Sequence, residues 1–152
     1  MEGKKTSIIF VCTGNTCRSP MAEFMFKDYL RQKKRIGEFA VSSAGLEAAK
    51  GDKIMPQAVE ALTVLGVKHN PERKAKVFTV AMSMDGDLIV GMTAEHALRC
   101  DSDNAISYVD LIGRQVSDPY GYGTQVYLMC AEQIRSGFDK LLEIADEKRK
   151  AN

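Results

Sequence analysis

The chain has 152 residues, is 45% apolar and carries a formal net charge of +1. That length suits one domain, expected to span 1–152. The near-neutral charge supplies no field to draw in nucleic acid or an anionic membrane. Four cysteines are too few and too irregularly spaced for a secreted disulfide scaffold, the opening Met1 to Ser7 is too polar for a signal peptide, and no apolar run approaches a membrane span. The expectation is a cytoplasmic protein with reduced thiols.

Ser7 to Val11 is a continuous apolar run, the pattern of a strand buried on both faces. It leads into VCTGNTCRSP, Val11 to Pro20, which holds two cysteines, an asparagine and an arginine. Pro20 suits the first turn of a helix, and Ala22, Met25, Phe26, Tyr29 and Leu30 give that helix one buried face. The basic runs RQKKR (Arg31 to Arg35) and ERKAK (Glu72 to Lys76) read as solvated faces. Glu38 to Ser42 is a second strand. Pro56 starts another helix, with Ala58, Val59, Leu62 and Leu65 inward and Gly66 as its stop. DLIVGM, Asp87 to Met92, is a third strand, followed by a short helix from Thr93 to about Arg99. Ala105 to Val109 is a fourth strand. One long helix then runs from Thr124, with Val126, Met129, Cys130, Ile134, Phe138, Leu141, Leu142 and Ala145 on one face.

Strands alternating with helices predict an α/β fold of three layers, a four-stranded parallel sheet with helices on both faces, doubly wound. In such sheets ligands sit beyond the carboxyl ends of the strands. Cys12 is at one such end, Met92 to Thr93 at another, and Asp118 follows the fourth strand in a loop that can reach the same rim.

A loop between a buried strand and a helix N-terminus directs several backbone N–H groups at one spot, and the helix dipole adds about half a positive charge there. Residues Thr13, Gly14, Asn15, Thr16, Cys17 and Ser19 therefore form a candidate phosphate cradle. Gly14 permits the unusual backbone angles such a loop needs. Arg18 can fold back and grip two phosphate oxygens with its planar fork. At the base of the cradle, Cys12 becomes a nucleophile as the dipole and Arg18 stabilise its thiolate. Ser19 can donate to that sulfur, and Asn15 can tie the loop together. His69 and His96 are not spaced as metal ligands and read as ordinary polar positions; no metal and no cofactor is expected, because Arg18 and the amides already compensate charge.

CTGNTCRSP resembles the phosphate loop of the low-molecular-weight protein tyrosine phosphatases and their bacterial relatives. The resemblance continues through MAE (Met21 to Glu23), SSAG (Ser42 to Gly45), AVEAL on the Pro56 helix, DLIVGMT (Asp87 to Thr93) and DPYG (Asp118 to Gly121). It implies hydrolysis of phosphorylated protein substrates in two steps. Cys12 forms a phosphocysteine, and Asp118 first protonates the leaving group and then activates water, which releases inorganic phosphate. Arg18 and the loop amides stabilise the transition state. The resemblance also implies a redox role for Cys17, as a disulfide partner of Cys12, beside the plainer reading of a small buried filler. Cys100 and Cys130 read as structural.

The substrate turns on small departures. Most tyrosine-specific members carry a bulky aliphatic residue at the position of Thr16. Threonine there, and Met92, Thr93 and His96 after the third strand, resemble the protein arginine phosphatase branch. Tyr120 and Tyr122 beside Asp118 are candidate aromatic walls that suit a phosphotyrosine ring or a guanidinium. The primary expectation is a tyrosine phosphatase, with arginine phosphatase as the alternative. A thiol-dependent arsenate reductase is the lesser one, since only Cys100 stands where that chemistry needs a pair of shuttle cysteines. Many members place a histidine where this chain has Arg73 in RKAK; that histidine supports the loop asparagine, and His69 is the candidate substitute.

Overall fold

The computed structural model describes residues 4–151; the polar opening Met1 to Gly3 and Asn152 lie outside the described residues. The four strands are β1 (Thr6–Cys12), β2 (Phe39–Gly45), β3 (Leu88–Gly91) and β4 (Ala105–Ser107), all parallel in the order β2-β1-β3-β4. The apolar run from Ile8 to Val11 thus became a central strand, paired on both edges. Its register sets Cys12 opposite Gly45 and Val11 opposite Gly91, so the carboxyl ends of three strands open onto one rim.

Alternation along the central strands divides the core. Ile8, Phe10, Leu88 and Val90 face a large layer, and Ile9, Val11 and Ile89 a smaller one. The large layer holds α1 (Arg18–Gln32), α2 (Pro56–Val64), α6 (Thr124–Arg135) and α7 (Phe138–Ala151). The small layer holds α3 (Val80–Asp85) and α4 (Ala94–Arg99), and α5 (Tyr108–Ile112) follows β4. Met21, Ala22, Met25, Phe26 and Leu30 are the buried stripe of α1. There Phe26 meets Phe10 edge-on at 5.8 Å and Phe138 at 5.0 Å between ring centroids. A fully buried phenylalanine of this kind contributes about 1.5–3 kcal/mol.

Four elements depart from the sequence expectation. The fourth strand stops at Ser107, because Ser107 and Asp110 form a capping box: Val109 N donates to Ser107 Oγ and Ser107 N to Asp110 Oδ2. The segment expected to continue as strand is therefore α5, and Asp118 lies beyond that helix. The long C-terminal helix is two helices, parted at Ser136 and Gly137. Gly137 lies against the buried ring of Tyr108, where a Cβ would approach Cε2 to 2.8 Å. On α6 the inward residue is Tyr127, fully buried, whereas Met129 points to solvent at 62% exposure. Helix α3, capped by Thr79 accepting from Met82 N, was not anticipated. It has no buried residue, so the sequence carries no apolar stripe to reveal it. Among the described residues no helix is long and apolar enough to cross a membrane.

Candidate active site

Residues Cys12, Thr13, Gly14, Asn15, Thr16, Cys17 and Arg18 line a cavity of about 240 Å³ together with Asp118 and Tyr120. The end of β1 delivers Cys12 to its floor, and α1 begins at Arg18 with its N-cap, Cys17, offering no side-chain hydrogen bond. The first N–H groups of a helix left without a side-chain cap suit an anion.

Two hydrogen bonds converge on the Cys12 sulfur. Asn15 N donates to it at 3.3 Å, and Ser19 Oγ stands 2.9 Å away. The direction of the second follows from its surroundings. Asn15 Nδ2 donates to Ser19 Oγ at 2.7 Å, so the serine accepts there and offers its own hydrogen to the sulfur at 2.9 Å and to Ala44 O at the longer 3.5 Å. The Asn15 amide is itself fixed, because its Oδ1 accepts from Arg73 Nη1 and from Lys76 N, both at 2.9 Å. Its Nδ2 also donates to Ser43 Oγ at 3.0 Å.

Arg73 thus stands at the base of the loop and not on a solvated face, at 8% exposure. Its Nη2 reaches Ser43 Oγ at 2.6 Å and Glu23 Oε1 at 3.1 Å, and Glu23 Oε2 accepts from Lys27 at 2.8 Å. Burial pushes the Glu23 carboxyl up, but Lys27, Arg73 and Ser43 together bring it below the ordinary carboxylate value. The support expected to be missing, or supplied by His69, comes from Arg73 itself. His69 instead hydrogen-bonds Val67 O at 2.7 Å and packs edge-on against Phe24. The charge pattern of the run carries no mark of a buried member; the signal in the sequence was the position of Arg73, where many family members place the histidine that supports the loop asparagine.

The loop's unusual backbone also falls elsewhere than expected. Asn15, not Gly14, has positive φ, at 56°. A Cβ at Gly14 would meet only Thr16 Oγ1 at 3.7 Å, an ordinary contact. The tight glycine is Gly45 at the end of β2, where a Cβ would lie 2.6 Å from Thr13 O and 2.9 Å from Asn15 N. Its bare Cα lets the loop after β1 lie against the sheet.

Across the cavity, Val116 N donates to Met92 O at 2.9 Å and Val116 O accepts from Arg18 Nη1 at 3.0 Å. One residue, through its N–H and its carbonyl, therefore ties the arginine, the end of β3 and the segment carrying Asp118. The Asp118 carboxylate has 54% side-chain exposure, stands 3.6 Å from Arg18 Nη2 and accepts from Tyr120 N at 3.1 Å. Thr16 is half-buried, with Oγ1 3.8 Å from Cys17 Sγ and its carbonyl accepting from Met55 N. Cys17 Sγ lies 3.3 Å from the hydroxyl of Tyr127, and burial pushes its thiol up against the pull of Tyr127 and Thr16. Tyr122 is exposed and is not one of the cavity's lining residues. His96 is not an ordinary polar position: it is buried with Nε2 2.9 Å from Thr13 Oγ1, and burial, then Arg18 and Arg99, bring it down to about 4. Cys100 and Cys130 are buried, and burial pushes their thiols up to about 11 and about 12.

The model of the low molecular weight phosphotyrosine protein phosphatase family matches residues 7–151. A protein-arginine-phosphatase of Bacillus subtilis is 34% identical, over 94% of this chain and 97% of its own length. A low molecular weight protein-tyrosine-phosphatase, PtpB of Staphylococcus haemolyticus, is 36% identical over 84% of this chain and 91% of its own. Among solved structures, a cysteine-to-serine mutant of the YwlE arginine phosphatase with its active-site serine phosphorylated superposes with a TM-score of 0.85 and 29% identity, covering 97% of this chain and 100% of that one.

Proposed function

Because this chain belongs to the low molecular weight phosphotyrosine protein phosphatase family, we propose that the cavity around Cys12 hydrolyses phosphotyrosine in proteins through a phosphocysteine intermediate. The observation that carries the reading is the convergence of Cys12, Arg18 and Asp118 on one cavity of about 240 Å³. Cys12 Sγ attacks phosphorus, and the bond from phosphorus to the leaving oxygen breaks as Asp118 hands that oxygen a proton. The Asp118 carboxylate then takes a proton from water as the water oxygen attacks the phosphocysteine; the S–P bond breaks and inorganic phosphate leaves. Arg18 and the loop amides hold the equatorial oxygens throughout. Ser19, aimed at the sulfur by Asn15, stabilises Cys12 as attacking and as departing thiolate.

Phosphoarginine is the second reading, and Thr16 favours it. Its small polar side chain lines the cavity where an aliphatic residue would wall off a planar ring's edge. A similar protein and a similar solved structure above are both named arginine phosphatases. Arsenate reduction is disfavoured by Cys100, which is buried and donates its thiol hydrogen to His96 O at 3.1 Å. The experiment is turnover of a phosphotyrosine and a phosphoarginine peptide by wild type, Cys12→Ser and Thr16→Ile. Wild type turns over at least one and Cys12→Ser neither; a ratio of the two rates unmoved by Thr16→Ile removes Thr16 from specificity.

A further inference from the structure

His96 is the buried imidazole that the mechanism above does not use. Its ring hydrogens can be placed from geometry. Thr93 N, at the N-cap of α4, donates to His96 Nδ1 at 3.2 Å. A backbone N–H can only donate, so Nδ1 is the bare acceptor and the neutral ring carries its single hydrogen on Nε2. That hydrogen points at Thr13 Oγ1, 2.9 Å away. Thr13 Oγ1 therefore accepts from the histidine, and this is its one side-chain hydrogen bond among the described residues. Its own hydrogen is left over, on a residue that lines the cavity with Cys12 and Arg18.

We infer that His96 is a positioning residue that holds the Thr13 hydroxyl as a hydrogen-bond donor to a phosphoryl oxygen in the cavity. The backbone of α4 makes the arrangement rigid, since His96 N also donates to Thr93 Oγ1 at 3.1 Å and closes a capping box around the ring. The device is related to the one at Ser19: in each case a neighbouring N–H donates to the hydroxyl oxygen and leaves the hydroxyl hydrogen to be given elsewhere. The inference rests on the cavity being a phosphate site. A hydroxyl donating to an anion is a charge-assisted bond, and its loss costs roughly tenfold or more in affinity.

The experiment is calorimetric titration of inorganic phosphate into the purified protein, which needs no turnover. Thr13→Val is expected to bind phosphate about tenfold more weakly, and Thr13→Ser, which keeps the hydroxyl, within about twofold of wild type. His96→Leu is expected to lose a similar factor, and His96→Gln, whose amide N–H can replace the Nε2 hydrogen, to recover most of it. In the Thr13→Val background His96→Leu is expected to cost nothing further. Thr13→Val binding like wild type overturns the inference, as do losses that add fully in the double variant, because a histidine acting only on the fold would add. If His96→Leu does not fold, Thr13→Val and His96→Gln decide the matter. Wild type that binds no phosphate at all removes the cavity reading and this inference together; wild type that binds, with an unaffected Thr13→Val, removes this inference alone.

Discussion

Replacing Arg73 by methionine removes the guanidinium but keeps much of the side-chain volume. Its hydrogen bonds to side chains vanish, to Asn15 Oδ1 at 2.9 Å, to Ser43 Oγ at 2.6 Å and to Glu23 Oε1 at 3.1 Å, together with those to the backbone carbonyls of Asn15, Ser43 and Lys74. Breaking one partner of a buried ion pair costs about 3–5 kcal/mol, because a charge is left without compensation. Here Glu23 keeps Lys27 at 2.8 Å and Ser43 Oγ at 2.7 Å, which places the loss near the lower end, about 3 kcal/mol. For a chain of this length that is a fall in Tm of roughly 6–12 °C. Activity is expected to fall further than stability accounts for. The Asn15 amide loses one of the two donors to its Oδ1 and keeps only Lys76 N there, so its hold on Ser19 is loosened, and a displacement of reacting groups by about 1 Å costs on the order of a hundredfold. The assay pairs thermal unfolding by circular dichroism with kcat on p-nitrophenyl phosphate at a temperature where the variant is folded. There is also a pH signature. Arg73 helps bring the Glu23 carboxyl down, so its loss raises that group. Stability carried by a depressed carboxylate is present above the unfolded value and disappears as pH falls through the folded one. Acid unfolding of the variant therefore begins at a higher pH than in wild type. A Tm within about 2 °C of wild type, with kcat unchanged, refutes the role given to Arg73.

His96 is held neutral to about 4 by burial, then by Arg18 and Arg99, against the opposing charges of Asp118 and Glu47. The unfolded chain protonates it near 6.5, so stability falls with pH between 6.5 and about 4, by at most about 3 kcal/mol; urea titrations at pH 7 and 4.5 read the slope, and His96→Leu flattens it. Gly45→Ala drives a methyl into Thr13 O and Asn15 N, at 2.6 and 2.9 Å. It is expected to destabilise by about 1–3 kcal/mol and to weaken phosphate binding in calorimetry, whereas Gly14→Ala, which meets only Thr16 Oγ1, leaves the fold's stability within about 0.5 kcal/mol. Tyr127→Phe removes the hydroxyl 3.3 Å from Cys17 Sγ, one of the contacts that pull its thiol down. Alkylation of Cys17, followed by mass spectrometry at pH 8, is expected to slow; a faster reaction shows that the hydroxyl shields the sulfur instead.

The parallel sheet, its helical layers and the loop that follows β1 were legible in local patterns of the chain. Ile8 to Val11 has no polar break, so it became a strand covered on both faces, and Pro20 with the stripe from Met21 to Leu30 obliged a helix to follow. Those are local patterns, and local patterns survive folding. Contacts between distant segments were decided by tertiary structure. Arg73 stands in a charged run, yet β2 and α1 bring Ser43, Glu23 and Asn15 around it and compensate its burial. His96 reaches Thr13 across 83 residues because β1 and β3 are neighbours in register. The break at Gly137 depends on Tyr108, and the tightness at Gly45 on Thr13 and Asn15. In each case the residue's meaning lies in what the fold places within hydrogen-bond or van der Waals range. The composition and spacing of its own segment hold no trace of that neighbour.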